Sequence, residues 1–301
     1  MNIIEIKNLK KSFKEIKAVD DISFRVKEGE LFAFLGLNGA GKSTTISIIS
    51  GILGKDSGSV FVNGYDISKD PDKIKSDIGI VFQQSVLDKV LTVKENLRIR
   101  AALYNISGAA FEKRLSELCN LLDLNDLLKR PVDKLSGGQR RRIDVARALF
   151  HSPKILILDE PTTGLDPQSR IMVWTVVEKL RKTDGLTVFM TTHYMEEAAE
   201  ADYVVILENG KIAANGTPND LKNEFTGDFI KLYGVDKCEL EKREILYTEE
   251  NGYLQIFVKN TKEAKDLITQ NGDIFNDFEV VKGKMDDVFL AATGKTIKEV
   301  E

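Results

Sequence analysis

The segment GLNGAGKS at residues 36–43 constrains the fold of this 301-residue chain more than any other feature. It fits the pattern Gly-x-x-x-x-Gly-Lys-Ser/Thr, in which a glycine-rich turn binds phosphate groups. The apolar run at 31–35 before it predicts a buried parallel strand, and residues 43–50 after it predict a helix. A strand, a tight turn and a helix in this order predict an α/β fold with a mainly parallel central sheet.

The residue types of this segment suit a nucleoside triphosphate bound with Mg²⁺. Its glycines allow a tight turn whose N–H groups point inward at the N-terminus of a helix. We expect Lys42 to reach the β- and γ-phosphates and the Ser43 hydroxyl to bind Mg²⁺. The alternative is a glycine turn that binds nothing, and the strand and helix around it argue against that. The predicted nucleotide-binding residues are Gly36, Leu37, Asn38, Gly39, Ala40, Gly41, Lys42, Ser43 and Thr44.

A second apolar run, ILIL at 155–158, ends in the adjacent carboxylates Asp159 and Glu160. The carboxyl ends of strands in an α/β sheet face the ligand, so these side chains are expected beside the phosphates. Asp159 is predicted to hold Mg²⁺, directly or through water, and Glu160 to polarise the water that attacks the γ-phosphorus. Taken alone, a strand that ends in Asp-Glu also fits an ordinary strand end.

The pentapeptide LSGGQ at 135–139 resembles the signature of the ATP-binding cassette (ABC) superfamily. The run RRRIDVARALF after it predicts a helix. A small hydroxyl and bare backbone amides at a helix N-terminus suit a γ-phosphate, and Ser136, Gly137, Gly138 and Gln139 supply them. The resemblance implies that this phosphate belongs to ATP held by the other subunit of a dimer. It also implies a P-loop NTPase cassette with an antiparallel N-terminal β part and a helical subdomain.

The same resemblance implies roles for two residues near the phosphate-binding loop. Phe13 lies where the family carries an aromatic residue, commonly Tyr, that stacks on adenine; a core Phe at a strand edge is the alternative. Gln83 follows the apolar strand IGIVF and resembles the glutamine that joins Mg²⁺ and the attacking water to the helical subdomain. We favour Gln83 over the adjacent Gln84.

Two further positions match the family later in the chain. Asp166, in PTTGLDP, resembles the loop that crosses the dimer interface. His193 follows the apolar strand TVFMTT and resembles the switch histidine that contacts the γ-phosphate. A solitary histidine beside a strand is commonly a satisfied polar group, but its place after the carboxylate pair favours the functional interpretation. His151, in the turn before ILIL, has no such support and is assigned no role.

The run Arg140 to Arg142 raises the question of nucleic-acid binding. A solvated helix face, or a contact with a partner, is the favoured interpretation. The 43 Lys and Arg residues against 47 Asp and Glu give a net charge of −4, so no broad basic surface indicates a nucleic-acid partner. We therefore do not expect nucleic acid to bind.

Composition agrees with a cytoplasmic enzyme. The apolar runs are far shorter than the roughly 20 residues of a transmembrane helix, and the N-terminus lacks the apolar core and cleavage site of a signal peptide. Cys119 and Cys238 show no metal-ligand spacing, and reduced thiols are the simplest interpretation. We expect a cytoplasmic protein that is peripheral on the inner face of the cell membrane.

A boundary near residue 220 is predicted to separate an ATPase domain, 1–220, from a small C-terminal α/β accessory domain, 221–301. Within the first, helical spacing of apolar residues predicts a helical subdomain at about 84–150. The resemblance to the cassette family implies that this subdomain touches a membrane partner. Beyond it, Asn251-Gly252 between REILYTEE and YLQIFVK predicts a hairpin. A helix at TKEAKDLITQ, a strand at DFEVVKG and a final helix at KMDDVFLAATG complete the second domain.

The chain's tail, DDVFLAATG, resembles a box that ends cassette ATPases of the daunorubicin-resistance and nodulation-export type, partners of ABC-2 permeases. Asp286 stands where Glu is common in that box. The same segment also predicts an amphipathic helix that buries Val288, Phe289 and Leu290, and the two interpretations are compatible.

Together these features predict an ATPase subunit that dimerises, with itself or with a related ATPase, beneath a separate permease and hydrolyses MgATP to export a substrate. An importer ATPase shares every catalytic residue, and only the tail argues against it. A non-transport cassette is the other alternative, against which stand the single P-loop and the lack of a long heptad segment or Cys cluster. A catalytically silent binding module is disfavoured because Lys42, Asp159, Glu160 and His193 are all present. Drug, lipid, polysaccharide and peptide substrates are all open.

Overall fold

A computed structural model of the chain describes residues 1–250 and 252–295. The chain divides into two compact units. The first comprises Met1–His193 with Leu207–Ile212, and the second comprises Tyr194–Ile206 with the chain from Ala213 onward. The division between the compact units does not fall at residue 220. The domain boundary near residue 220 therefore stays a prediction.

The first unit contains a parallel sheet of strands that are short, apolar and buried. Its order is β3-β8-β7-β6, and every neighbouring pair is parallel. Such strands are covered on both faces, which is why their sequences are continuous apolar runs without alternation. The bounds are Leu31–Leu35 for β3, Ile78–Val81 for β6, Ile155–Asp159 for β7 and Thr187–Thr192 for β8.

An antiparallel sheet forms the N-terminal β part, as the sequence predicted. Its order is β2-β1-β4-β5, and its neighbours are antiparallel. Strand β2 alternates buried and exposed residues along its second half, which is typical of a sheet with one face covered. The strands are β1 (Asn2–Phe13), β2 (Ile16–Lys27), β4 (Ser57–Val62) and β5 (Tyr65–Asp66).

The helices of the first unit connect these strands. Helix α3 begins with a capping box, in which Thr92 Oγ1 accepts from Glu95 N and Glu95 Oε2 accepts from Thr92 N. The helical subdomain predicted at about 84–150 contains α3, α4 and α5. The bounds are α1 (Lys42–Ile49), α2 (Pro71–Asp77), α3 (Val93–Ala102), α4 (Gly108–Leu122), α5 (Gly137–Leu149) and α6 (Pro167–Asp184), with short 3₁₀ turns at Asn125–Leu127 and Val132–Lys134.

The second unit contains a β-α-β-β-α-β module with antiparallel sheet order β12-β13-β11-β14. This interleaved order is that of the ferredoxin-like fold, in which two split β-α-β units share one sheet. One face of the sheet packs with α10 around Ile230, Ile256 and Ala264. The module comprises β11 (Asp228–Leu232), α9 (Lys237–Glu241), β12 (Thr248–Glu250), β13 (Tyr253–Val258), α10 (Thr261–Gln270) and β14 (Phe278–Lys282).

The predicted hairpin is present as the antiparallel pair β12 and β13, with Glu250 opposite Tyr253. Of its predicted turn, Asn251 lies outside the described residues, and Gly252 has φ +94°. The strand predicted at REILYTEE is shorter than expected, since only its last three residues are extended. The amide of Ile245 instead donates to Leu240 O and closes the end of α9.

The remaining elements of the chain are β9 (Tyr203–Glu208), β10 (Lys211–Gly216), α7 (Met195–Ala199), α8 (Pro218–Phe225) and α11 (Met285–Thr293). Helix α11 is the predicted C-terminal helix, and it packs against α7 and α8 within the second unit. Val288 and Phe289 are buried as predicted, whereas Leu290 is only half-buried. No helix in the described part of the chain is both long and apolar enough to cross a bilayer.

Candidate functional site

The predicted site residues follow the parallel strands, all at the edge where those strands end. Gly36 comes directly after β3, Glu160 after β7 and His193 after β8, while Gln83 is two residues past β6. Parallel strands present their carboxyl ends on one side, so four segments that are distant in sequence converge there. The sheet order therefore explains why this edge carries the chemistry.

The carboxylate of Glu160 is the centre of this convergence. Gln83 Nε2 donates to its Oε2 at 2.9 Å, while its Oε1 lies 3.7 Å from Lys42 Nζ and 3.3 Å from His193 Nδ1. Thr163 Oγ1 also donates to Oε2, at 3.3 Å. Glu160 is 8% exposed, so a cation and polar donors surround a carboxylate that water barely reaches.

Lys42 is buried at the start of α1 and turns back onto its own loop. Its Nζ donates to Gly36 O at 2.6 Å and to Leu37 O at 3.1 Å. Burial lowers the pKa of this side chain, and the charges of Glu160 and Asp159 offset that effect only in part. The ammonium is thus held within reach of any anion that the loop admits.

The loop conformation depends on glycine at the position before Lys42. Gly41 has φ +106°, and a Cβ there would lie 2.2 Å from Ala18 O. Neither the dihedral angle nor the space admits another residue. Ser43 is exposed at the first turn of α1 and Thr44 is half-buried, so hydroxyls flank the end of the loop.

Asp159 lies beside Glu160 but has different neighbours. Thr191 Oγ1 donates to Asp159 Oδ1 at 2.6 Å, which fixes the carboxylate at the strand edge. The amide of Glu160 donates to Thr191 as well, to its carbonyl oxygen at 3.1 Å and its hydroxyl at 3.2 Å. Thr191 thereby holds the carboxylate of Asp159 and the backbone of Glu160 in place.

The signature segment forms the N-terminus of α5. Ser136 is the N-cap: its Oγ accepts from Gln139 N at 3.2 Å, and Gln139 Oε1 accepts from Ser136 N at 3.0 Å. This capping box fixes Ser136 and Gln139 while Ser136 and Gly137 stay exposed. The exposed helix end offers a hydroxyl and backbone amides to an anion from outside the chain.

Comparison with known proteins decides the family. A family model described as ABC transporter matches residues 19–163. The linearmycin resistance ATP-binding protein LnrL of Bacillus subtilis (strain 168) is 43% identical over 229 residues, which are 76% of this chain and 73% of that protein. The daunorubicin resistance ATP-binding protein DrrA2 of Streptomyces coeruleorubidus is 34% identical over 308 residues, 97% of this chain and 95% of that protein. This chain belongs to the ABC transporter family.

Solved structures agree with the assignment. The chain is similar to a dimeric bacterial ABC transporter cassette, with 30% identity and a TM-score of 0.66 over 71% of this chain and 98% of the other. The same values hold for a dimeric post-hydrolysis state of that cassette bound to ADP and Pi. The predicted cassette fold is confirmed, and the protein is an ATPase.

Asp166 of the cassette caps α6. Its carboxylate accepts from Ser169 N at 3.0 Å and from Ser169 Oγ at 2.6 Å, and these bonds hold the pKa of Asp166 below its ordinary value. Gly138 of the signature packs directly on this cap, since a Cβ there would lie 2.0 Å from Ser169 Oγ. The two loops expected to act at a dimer interface thus touch within one chain.

Phe13 ends strand β1 of the cassette and is 47% exposed. The ring therefore belongs to no core, which removes the alternative weighed from the sequence. Lys11 Nζ lies 5.6 Å from its centroid. An exposed aromatic face is what stacking on a nucleobase requires, and this role stays a prediction.

Sequence reasoning missed Arg141. Its position in a run of three arginines indicated a solvated or partner-facing side chain, and that interpretation is wrong for Arg141, which is 6% exposed. Its guanidinium donates to four backbone carbonyls, those of Phe82, Asp159, Glu160 and Pro161. Arg142 is also engaged, because it donates to Leu122 O and Asp123 O at the end of α4. A spacing pattern cannot reveal carbonyls contributed by distant segments.

Proposed function

We propose that this chain is the ATP-hydrolysing subunit of an exporter-type ABC transporter, acting as a nucleotide-sandwich dimer beneath a separate membrane permease. The observation that carries the proposal is the buried carboxylate of Glu160, which Lys42, Gln83 and His193 surround within 3.7 Å. That arrangement suits activation of a water molecule next to a bound γ-phosphate.

Each of these side chains has a task in the proposed mechanism. Glu160 accepts a proton from the attacking water, and Gln83 orients that water through its amide. Lys42 leaves the carbonyls of Gly36 and Leu37 for the β- and γ-phosphates, where it offsets negative charge. His193 donates a hydrogen bond to the γ-phosphate and, through its contact with Glu160, links the phosphate to the base.

The residues at this edge fit Mg²⁺. Ser43, Gln83 and Asp159 offer hydroxyl, amide and carboxylate oxygens, which are the hard donors that Mg²⁺ prefers. The Thr191 bond at 2.6 Å leaves Asp159 one carboxylate oxygen for the ion or for its water ligands. When bound, Mg²⁺ neutralises charge on the β- and γ-phosphate oxygens.

A second copy of a cassette completes each site in this proposal. The capped end of α5, with Ser136 and Gly138, faces the γ-phosphate of ATP held on the opposite subunit's loop. Bound ATP then joins the two subunits, and hydrolysis releases them. The dimeric form of a similar cassette supports this account. Because the chain carries a full set of motifs, a homodimer and a heterodimer with a related ATPase both satisfy it.

The relatives favour export over import. LnrL and DrrA2 are named for antibiotic resistance, and a Nod factor export ATP-binding protein of Rhizobium etli is 34% identical over 99% of this chain and 96% of that protein. Alignment at this coverage includes the tail that first indicated the same type. We therefore assign the chain to the cytoplasmic face of the membrane, bound to a permease that determines the cargo.

A Glu160→Gln variant tests the proposal. It keeps the size of the side chain and one accepting oxygen and removes the base, so MgATP is expected to bind, to hold a stable dimer and to release almost no phosphate. Phosphate release and molecular mass in solution are measured together, with and without MgATP. Glu249→Gln, an exposed carboxylate bonded to Lys237, is the matched control and should behave as wild type. A monomer that hydrolyses ATP at the wild-type rate would refute both the base and the sandwich.

A further inference from the structure

Arg141 makes contacts that no assigned role explains. Its Nε donates to Pro161 O at 2.7 Å and its Nη1 to Phe82 O at 2.5 Å. Its Nη2 donates to Asp159 O at 3.2 Å and to Glu160 O at 3.1 Å. These four acceptors are main-chain oxygens, so the guanidinium binds the backbone of the site.

The backbone that Arg141 grips is strained. Glu160 has φ +45°, in the left-handed region that a residue with a side chain seldom adopts. Such conformations persist only where surrounding contacts determine them. Here three consecutive carbonyls, from residues 159, 160 and 161, converge on one cation that offsets their mutual repulsion. Arg141 thus binds the carbonyls of the turn that aims the Glu160 carboxylate, while Thr191 binds the amide of that turn.

The same guanidinium also fixes the partner of that carboxylate. Phe82, whose carbonyl it binds, directly precedes Gln83. Gln83 Nε2 in turn donates to Glu160 Oε2 at 2.9 Å. Arg141 therefore binds backbone beside both members of the Gln83 and Glu160 pair, with Thr191 as a second anchor at the Glu160 amide, so a displacement of Arg141 acts on both members.

Arg141 stands on the signature helix. It lies five residues after the N-cap Ser136, on the rigid body of α5. A helix moves as a unit, so a shift at its N-terminus is transmitted to a side chain little more than one turn away. One helix thus connects the exposed end of α5 to the backbone that carries Glu160.

We propose that Arg141 is a positioning residue that couples nucleotide binding at the signature of this chain to the geometry of Glu160 and Gln83 in the same chain. The inference rests on the proposed sandwich dimer and adds communication between its two sites. When ATP held by the opposite subunit reaches Ser136, it fixes the position of α5. Arg141 on that helix then holds the turn at 159–161 in the geometry that catalysis requires. In this account Arg141 acts through the backbone beside Gln83 and Glu160.

The test compares Arg141→Gln with Arg142→Gln, a neighbour on the same helix whose guanidinium also binds carbonyls but does so at the end of α4. In Arg141→Gln we expect kcat to fall about 100-fold, the size of effect expected when a catalytic group is misplaced by about 1 Å. KM for ATP and the affinity for a fluorescent ATP analogue should stay within about twofold, because the phosphate loop is untouched. The Hill coefficient for ATP should fall from near 2 toward 1, because the sites no longer communicate.

Two further variants keep the inference testable if Arg141→Gln folds poorly. Arg141→Lys keeps the cation but reaches fewer carbonyls, and its kcat should be intermediate with a lowered Hill coefficient. Arg141→Ala should regain part of its kcat with added methylguanidinium, whereas Arg142→Ala should not respond. Wild-type kcat and Hill coefficient in Arg141→Lys, or no response of Arg141→Ala, would overturn the inference.

The outcomes separate this inference from the proposed function. If Glu160→Gln traps a dimer with MgATP and Arg141→Gln keeps wild-type kcat, the sandwich stands and the coupling role of Arg141 falls. Equal losses of kcat in Arg141→Gln and Arg142→Gln, or a loss of ATP affinity that parallels the loss of kcat, would show that Arg141 contributes only to packing. Either result would also overturn the inference. If Glu160→Gln traps no dimer, the proposed sandwich dimer is refuted, and the inference that rests on it falls as well.

Discussion

Lys42 is bound to its own loop and is poised to leave it. Its ammonium is bonded to the carbonyls of Gly36 and Leu37, which are neutral acceptors, and lies at the longer distance of 3.7 Å from Glu160 Oε1. Hydrogen bonds between charged partners are stronger than those to neutral carbonyls, so phosphate oxygens compete well for this side chain. The loop therefore keeps its cation in position, and we expect phosphate oxygens to replace the two carbonyls when a nucleotide binds.

His151, for which the sequence supported no role, is a half-buried titratable group in the turn after α5. Its ring stacks on Tyr104 with centroids 3.9 Å apart, and its Nε2 lies 3.0 Å from Ile78 O. Burial, with Arg100 as the next cause, lowers its pKa from 6.5 to about 4. Neutral imidazole is the form that the folded state requires.

This residue predicts a pH dependence of stability. Between pH 4 and 6.5 the unfolded chain binds a proton that folded His151 does not. The contribution of His151 to the free energy of unfolding is therefore fully present above pH 6.5. It falls as the pH drops toward 4, by about 2 kcal/mol after allowance for partial exposure. Urea unfolding across this range measures it. His151→Phe keeps the stacking and should flatten this part of the profile, and an unchanged slope would show that other groups cause it.

At the scale of elements, α5 contacts several other elements of the cassette. Its N-terminus carries the signature, Gly138 packs on the cap of α6, and Arg142 bonds the end of α4. Arg147, near its C-terminus, donates to Ile80 O of β6 at 2.7 Å. Because α5 is bonded to several elements at once, we expect a displacement of this helix to move those elements with it.

The contact between α5 and α6 gives a prediction. Ala at position 138 would force its Cβ against Ser169 Oγ, which must then abandon Asp166. Gly138→Ala should destabilise the chain by about 1 kcal/mol, the usual worth of a helix cap. Adding Ser169→Gly removes the clash, so a double-mutant cycle should give a coupling of about 1 kcal/mol by chemical unfolding. Additive effects would mean that α6 moves away instead.

The sequence predicted elements well where motif and strand coincide. The loop before Lys42, the strand ends at Glu160 and His193, and the capped helix at Ser136 all lie as expected, since each depends on local pattern and on one rule about parallel strands. It missed β11, because DFIKL is a short run that offers little periodicity. It overextended β12, where Leu246 belongs to an apolar pattern yet is 89% exposed. Arg141 was misassigned because the acceptors of its guanidinium come from two other segments.

At the scale of the molecule, the second compact unit gathers segments from both sides of the predicted boundary. Helix α7 lies before residue 200, and α11 packs against it and against α8. Met195 and Ala198 of α7 are buried. A cut at the predicted boundary would therefore remove one side of a packed helical group.

A chain that ends at Asp220 tests this arrangement. It lacks α11 and most of α8, so the apolar face of α7 loses its cover and offers a surface for association. We expect it to aggregate or to unfold at a lower temperature than the full chain, as measured by light scattering and thermal unfolding. A shortened chain that stays monodisperse and equally stable would show that α11 contributes little.

The register of the C-terminal sheet bears on how this architecture can be edited. Strands β11 and β14 lie side by side with Asp228 opposite Lys282, and Gly283 N donates to Gly227 O at 3.2 Å. The chain therefore leaves the ferredoxin-like module where it came in, and residues 228–282 form an insertion between α8 and α11. We expect that a short glycine linker in place of residues 228–282 closes the gap and leaves α11 packed against α7 and α8. The whole ferredoxin-like module is therefore expected to be exchangeable, in evolution or by design, without a change in the ATPase domain.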